Sequence, residues 1–232
     1  MMFSRLRRFR TLRRLQRDYY AGNPADAARV AARFLNELAD ARAEELRRSG
    51  APKSIRLHAG SGGHVMEGWI DIDIDADPTV DVAADLGKSL PFRSGSADFI
   101  HSEDFLEHLD EEEGLQFLRE AYRVLKPGGV MRVATPDLRE LVEAVYLRRE
   151  AQHLRWCGEY LEAEGPCAAL NMHMRMSGAH RFVYDEEHLT RILREIGFDV
   201  RRVSYNRSRH PELRFLELRD FGLSLYLEAA KR

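Results

Sequence analysis

The chain has 232 residues, 44% hydrophobic and 32% charged, with 36 Lys and Arg against 38 Asp and Glu and a formal net charge of −2. That length suits one well-buried α/β domain with an appendage, and the near-neutral balance excludes a general attraction to nucleic acid. No apolar run reaches the roughly 20 residues that span a bilayer, and no signal peptide with a clean apolar centre stands out, so a cytoplasmic protein is expected. Cys157 and Cys167 lack redox or metal spacing and read as ordinary reduced thiols.

The near-neutral average hides a basic start. Arg5, Arg7, Arg8, Arg10, Arg13, Arg14 and Arg17 face a single early acid, Asp18, while Leu6, Phe9, Leu12 and Leu15 recur every third residue. The pattern predicts a helix with one apolar stripe in an arginine-rich surface. Two readings stand side by side: a helix packed on its own domain, or residues 1–20 lying on a protein partner or on anionic lipid at the inner face of a membrane. Asn23-Pro24 reads as an N-cap with proline at the first helical position, opening an Ala-rich helix to about Arg48. Ser49-Gly50-Ala51-Pro52 then forms a linker. Residues 1–50 are thus expected to be a basic, helical appendage to a domain over 51–232.

Apolar runs flanked by turn residues predict strands over about Ser54–Ala59, Trp69–Asp73, Val80–Ala84, Ala97–Ser102, Val130–Ala134, Phe198–Ser204 and Leu223–Ala229. Continuous apolarity in the first few suggests a parallel sheet covered on both faces. The last two runs are joined by a long loop alone, which suits an antiparallel pair. Asp110 is placed to cap a helix from Glu111 to Leu125, and Asp185 to cap another that Gly197 ends. Only Gly63 to Trp69 separates the first two strands, which reduces the first crossover helix to about a turn.

Between those strands lies Gly60-Ser61-Gly62-Gly63, a turn whose glycines let a backbone approach a ligand, although a sharp bend alone would also need them. Trp69-Ile70-Asp71-Ile72-Asp73 ends the second strand in carboxylates that can accept ribose hydroxyl hydrogens. Val80 to Leu86 ends a third run at Asp85, and Ala97 to Ser102, Phe105-Leu106-Glu107-His108-Leu109, Val124 to Gly129 and Val130 to Ala134 follow in order. From about Ile55 onward the chain resembles the class I S-adenosylmethionine-dependent methyltransferases of the type 11 group. The likeness is nearest to a predicted bacterial subset, often associated with polysaccharide biosynthesis, that carries a Gly-Trp-Ile-Asp-Ile-Asp second strand and a late Ser-Arg-His-Pro-Glu-Leu. Two departures stand out: His58 replaces the acid that many relatives carry two positions before the turn, and the first crossover is short.

The resemblance implies a Rossmann-like, mostly parallel sheet with an antiparallel last strand, and S-adenosyl-L-methionine as cofactor. By it, Ala59, Gly60, Ser61, Gly62 and Gly63 pass under the methionine portion. Asp73 and Ile74 meet the ribose, Asp85 and Leu86 border the adenine, and Ser102 lines the same crevice outside the strand ends. Asp85 reads equally as a turn cap. Methyl transfer to a hydroxyl or ammonium needs a base, for which His101, Glu103, His180 and His210 are candidates, whereas His108 is expected to pack at its helix. Residues 151–180, with Trp156, Tyr160, Asn171, Met172, His173 and Met174, are expected to cap the acceptor pocket, against the alternative of a packed surface excursion. His173 and His180 are too loosely spaced for a metal site without a third ligand, so no metal is expected. With neither an Asn-Pro-Pro-Tyr nor a Pro-Cys signature, nucleic-acid bases are disfavoured as acceptors. The expected reaction is methyl transfer to an oxygen or nitrogen of a small molecule or glycan precursor. The alternatives are a non-catalytic scaffold of the same fold in a membrane-associated assembly, and transfer of another group as spermidine synthase relatives perform.

Overall fold

Alternation of side chains across a pleated strand decides what each face of this protein buries. The computed structural model describes residues 54–75, 78–218 and 222–232; the expected helices over 1–50, with their lipid or partner contact, lie outside these. Seven strands form one sheet: β1 (Arg56–Ala59), β2 (Ile70–Asp73), β3 (Val82–Ala83), β4 (Ala97–Glu103), β5 (Leu125–Pro136), β6 (Phe198–Arg202) and β7 (Ser224–Lys231). Their spatial order is β3-β2-β1-β4-β5-β7-β6. The pairs among β1 to β5 are parallel, and β7 runs antiparallel to both β5 and β6. The α/β sheet with an antiparallel last strand is therefore present.

Helix α1 (Glu111–Val124) starts at Asp110, whose carboxylate accepts the Glu113 N–H while Glu113 accepts the Asp110 N–H, a reciprocal capping box. After β5, Leu138–Glu140 opens α2, which continues with π-type hydrogen bonding through Leu141–Leu147. Two further helices follow, α3 (Ala151–Leu161) and α4 (Gly165–Arg175), before α5 (Glu186–Ile196), which Asp185 caps and Gly197 ends. The first crossover is short, as expected, and is made of isolated turns closed by His64 N–H to Ser61 C=O and Trp69 N–H to Met66 C=O.

One face of the sheet carries the apolar core. Leu57, Ile70, Ile72, Ile100, Met131, Val133 and Leu227 pack against Phe117, Leu118 and Ala121 of α1 and Leu189 and Leu193 of α5. The opposite face carries a buried polar row in strand register: Asp71, His58, His101, Arg132 and Glu228. Both faces are covered, but the expected continuous apolarity is corrected to alternation over Leu57–Ala59, Ile70–Ile72, Ile100–Ser102 and Met131–Val133. A smaller apolar patch of Trp69, Val130 and Leu213, with Phe99 and Met66 against it, lies on the polar face. The helical pair α3 and α4 builds a second core with α2, from Leu141, Ala144, Val145, Cys157 and Ala169.

Candidate active site

The glycine turn follows directly from the end of β1. Gly60 and Ser61 both donate their N–H to Ile72 C=O, which ties the turn to β2, and Gly62 N–H donates to the Asp73 carboxylate at 2.8 Å. A Cβ on Gly60 would lie 2.4 Å from the Phe105 ring, and the backbone there has φ +72°, so this position admits glycine alone. At Gly62, φ is +53° and a Cβ would meet nothing within 4 Å, which leaves open space over the turn. Phe105, whose place here no local sequence signal indicates, closes the turn from the β4 side.

Asp73 ends β2, with its second oxygen accepting the Asp75 N–H at 3.2 Å, and Ile74 beside it is 59% exposed. An apolar side chain left open next to a strand-end carboxylate suits a flat base lying over a ribose. Ala84 N–H donates to Asp73 C=O, bringing Asp85 and the buried Leu86 to the same end of the sheet. Asp85 also pairs with Lys88 at 2.8 Å across a turn, so its carboxylate has a structural partner. Ser61 and Ser102 place buried hydroxyl oxygens without a protein partner in this region. Buried polar groups of this kind normally find a partner, and a bound polar ligand would supply one. The open turn, the exposed Ile74 and these hydroxyls fit S-adenosylmethionine.

The candidate bases separate into different environments. His101 has no exposed surface; it lies between His58, stacked at 5.7 Å, and Trp69 at 6.2 Å. Burial first, then the charges of His58, Arg132 and His64, holds its pKa well below the ordinary imidazole range. An acceptor cannot reach it, so His101 is corrected from base to part of the buried row. His210 is also corrected: it packs edge-on against Phe99 at 5.8 Å, beside the Pro211–Leu213 turn. Phe99 lies four residues before Glu103 along β4, about 13 Å from the strand mouth at the usual rise per residue. Glu103 is at the mouth, with its carboxylate accepting Leu218 N–H at 2.9 and 3.1 Å.

His180 faces a different group. Its Nε2 lies 3.9 Å from Glu107 Oε1, and its Nδ1 donates to His173 C=O at 2.8 Å. Burial, with the charge of Asp104 adding to it, raises the Glu107 pKa to about 8, and Thr135 Oγ1 at the end of β5 donates to its Oε2 at 3.0 Å. His108 joins them, with its ring edge-on to His180 at 5.0 Å and its Nδ1 donating to Ala179 C=O at 3.0 Å. His173 turns away, its Nε2 at Cys157 Sγ and its ring stacked on Trp156. The partners that sequence spacing could not supply for His180 are Glu107 and His108.

A family model described as a methyltransferase domain, of the type 11 group, matches residues 69–133. Comparison with curated protein sequences returns no match. Among solved structures, an S-adenosylmethionine-dependent methyltransferase from Archaeoglobus fulgidus is 15% identical, with 83% of this chain and 94% of that chain covered and a TM-score of 0.48. A possible histamine N-methyltransferase from Thermotoga maritima is 18% identical over 97% of each chain, with a TM-score of 0.46. A methyltransferase-like protein from Bacillus halodurans is 16% identical, over 82% of this chain and 98% of that one, also with a TM-score of 0.46. The matched segment runs from Trp69 past Asp73, Asp85 and Ser102 to the middle of β5, and over that segment the chain is similar to the methyltransferase domains of the type 11 group.

Proposed function

We propose that the acceptor is a hydroxyl-bearing small molecule or glycan precursor, methylated on oxygen. The observation that carries this reading is the Glu107, His108 and His180 cluster, which stands outside the carboxyl ends of β4 and β5, the end at which open α/β sheets bind ligands. When bound, S-adenosylmethionine supplies a methyl group already activated on a sulfonium. The chain's own residues then have to hold an acceptor oxygen in line with it, keep water out and receive a proton.

The two histidines are placed to take the proton that such an oxygen gives up. His180 and His108 each commit Nδ1–H to a backbone carbonyl, which leaves Nε2 as a lone-pair acceptor able to receive a hydroxyl proton. Glu103 stands nearby at the end of β4 and is tied to the Leu218 amide, which supports a positioning role for it. Residues 151–180 enter this reading as the cap on the acceptor side, because His173 and Ala179 from that segment hold the two histidines by their carbonyls.

The test is a transfer assay with labelled S-adenosylmethionine against hydroxylated small molecules and nucleotide sugars, with the product analysed by mass and fragmentation. Methyl ether formation is expected. Transfer to amines alone would overturn the choice of acceptor atom.

A further inference from the structure

We propose that Glu107, His108 and His180 form a binding site for a divalent first-row transition ion such as zinc. One ligand atom from each of the three lies within 4.8 Å of the others. A pair of imidazoles with one carboxylate is a donor set that favours zinc, iron, cobalt or manganese over magnesium or calcium, which prefer oxygen alone.

The surroundings of the histidines carry the argument. A backbone carbonyl only accepts hydrogen bonds, so the contacts to His173 C=O and Ala179 C=O place the proton of each ring on Nδ1. Each Nε2 is then a lone pair. This is the arrangement in which metal-binding histidines are held, with the second ring nitrogen donating to a carbonyl and fixing the tautomer. On His180 that lone pair faces Glu107 Oε1 at 3.9 Å, beyond hydrogen-bond reach. A cation lying between the two atoms would be bound by both.

Glu107 supplies the carboxylate ligand, giving up its proton as the ion binds. Its side chain is 1% exposed, and among the described residues no Lys or Arg forms an ion pair with it. Arg181, which comes next in sequence to His180, is instead engaged by Asp110 and Glu113. A buried carboxylate without a cation is costly, and an ion would relieve that cost. Two ligands of one zinc ion stand about 3–3.5 Å apart, given metal–ligand distances near ~2.1 Å. The trio must therefore draw in by roughly an ångström, a movement that side-chain torsions of the partly exposed His108 can provide.

A three-ligand site leaves coordination positions open, and here they would face the acceptor side of the strand mouth. With both Nε2 lone pairs on an ion, the histidines would act through it and not as the base: the ion would polarise an acceptor hydroxyl and lower its pKa, and the proton would pass to solvent before the site closes for methyl transfer. Only this last role rests on the function proposed above; binding of the ion does not.

The experiment uses the full chain, stripped with a chelator and titrated with Co2+ and then Zn2+, with the visible Co2+ absorption and calorimetry as readouts. One ion per chain is expected, displaced by Zn2+. Binding should be weakened at least about tenfold in His108→Ala, His180→Ala and Glu107→Gln. Each variant is checked by thermal melting and by binding of S-adenosylhomocysteine, and both should stay close to wild type. Absence of a one-to-one complex in wild type overturns the site, and so does binding that survives in both histidine variants. If the ion binds as described while methyl transfer to a hydroxyl is untouched by chelation, the site stands and the acceptor role falls.

Discussion

The two faces of this sheet come from the same strands and bury opposite chemistry. In β1, β2, β4 and β5 the pattern is Leu57-His58-Ala59, Ile70-Asp71-Ile72, Ile100-His101-Ser102 and Met131-Arg132-Val133, and all of these residues are buried. On the face covered by α1 and α5 the neighbours are apolar, and burial alone stabilises the contact. On the other face the first crossover provides turns in place of a helix, and the cover comes from Trp69, Met66 and the segment between β6 and β7. There the polar row is hydrogen-bonded on either side of His101, whose two buried ring nitrogens have no hydrogen-bond partner among the described residues. His58 Nδ1 meets Asp71 at 2.9 Å, and Arg132 meets Glu217, Glu228 at 3.0 Å, Arg207 C=O at 2.8 Å and Ser204 C=O at 3.0 Å. Buried ionic networks add little net stability but are costly to break, so this face should respond to substitution and to pH in ways the apolar face does not.

The largest effect is expected at Arg132. Arg132→Met leaves Glu217 and Glu228 buried with no cation and should destabilise the fold by about 3–5 kcal/mol, read from the shift of the urea midpoint. Adding Glu217→Gln and Glu228→Gln should restore part of that loss. A single substitution that costs nothing would mean the network is not closed in solution. Ile100→Ala, the neighbour of His101 on the apolar face, should cost about 2–5 kcal/mol through lost burial and a cavity, with the same loss at pH 7 and pH 5.

Acid distinguishes the faces further. His101 is held neutral by burial and by His58, Arg132 and His64, and His173 in the second core is pushed down to about 4 by burial, His153 and His180. In the unfolded chain both titrate near ~6.5. Below that pH the unfolded state binds more protons than the folded state. The contribution of these groups is therefore complete above about pH 6.5 and is lost as pH falls toward the folded values, by up to about 1.4 kcal/mol per pH unit for each group. His101→Phe should flatten this slope by one proton in urea titrations run between pH 7 and pH 5, and an unchanged slope would show that His101 is not held neutral. The smallest effect belongs to the helix over the apolar face: Asp110→Ala removes the cap of α1 and should lower stability by about 1 kcal/mol in the same titrations.

What was legible in the sequence was local. Runs ending at Ala59, Asp73 and Ser102, and caps at Asp110 and Asp185, follow from neighbours within a few residues, and the strands and helices stand where those signals place them. The alternation in the strands was present but was overshadowed by their high apolar content. Joining His58, His101, Arg132 and Glu228 into one row needs the strand order, which no single segment contains. The same holds for His108 and His180, 72 residues apart and brought together because the chain returns past Glu107, where Arg181 and Phe182 N–H donate to its carbonyl. His210 was misread because an irregular segment has no period from which to infer its direction. Its place is set by Leu213, buried against Trp69 and Val130.

The candidate cofactor site lies where both faces end, and calorimetry with S-adenosylmethionine and S-adenosylhomocysteine tests it most directly. Wild type should bind both. Asp73→Ala should bind more weakly by about 1.5–3 kcal/mol, the usual range for hydrogen bonds to a charged group, with an unchanged thermal melt. Gly60→Ala, which drives a Cβ into Phe105, should weaken binding more than Gly62→Ala, which meets open space. A well-folded wild-type protein that binds neither ligand would contradict the account.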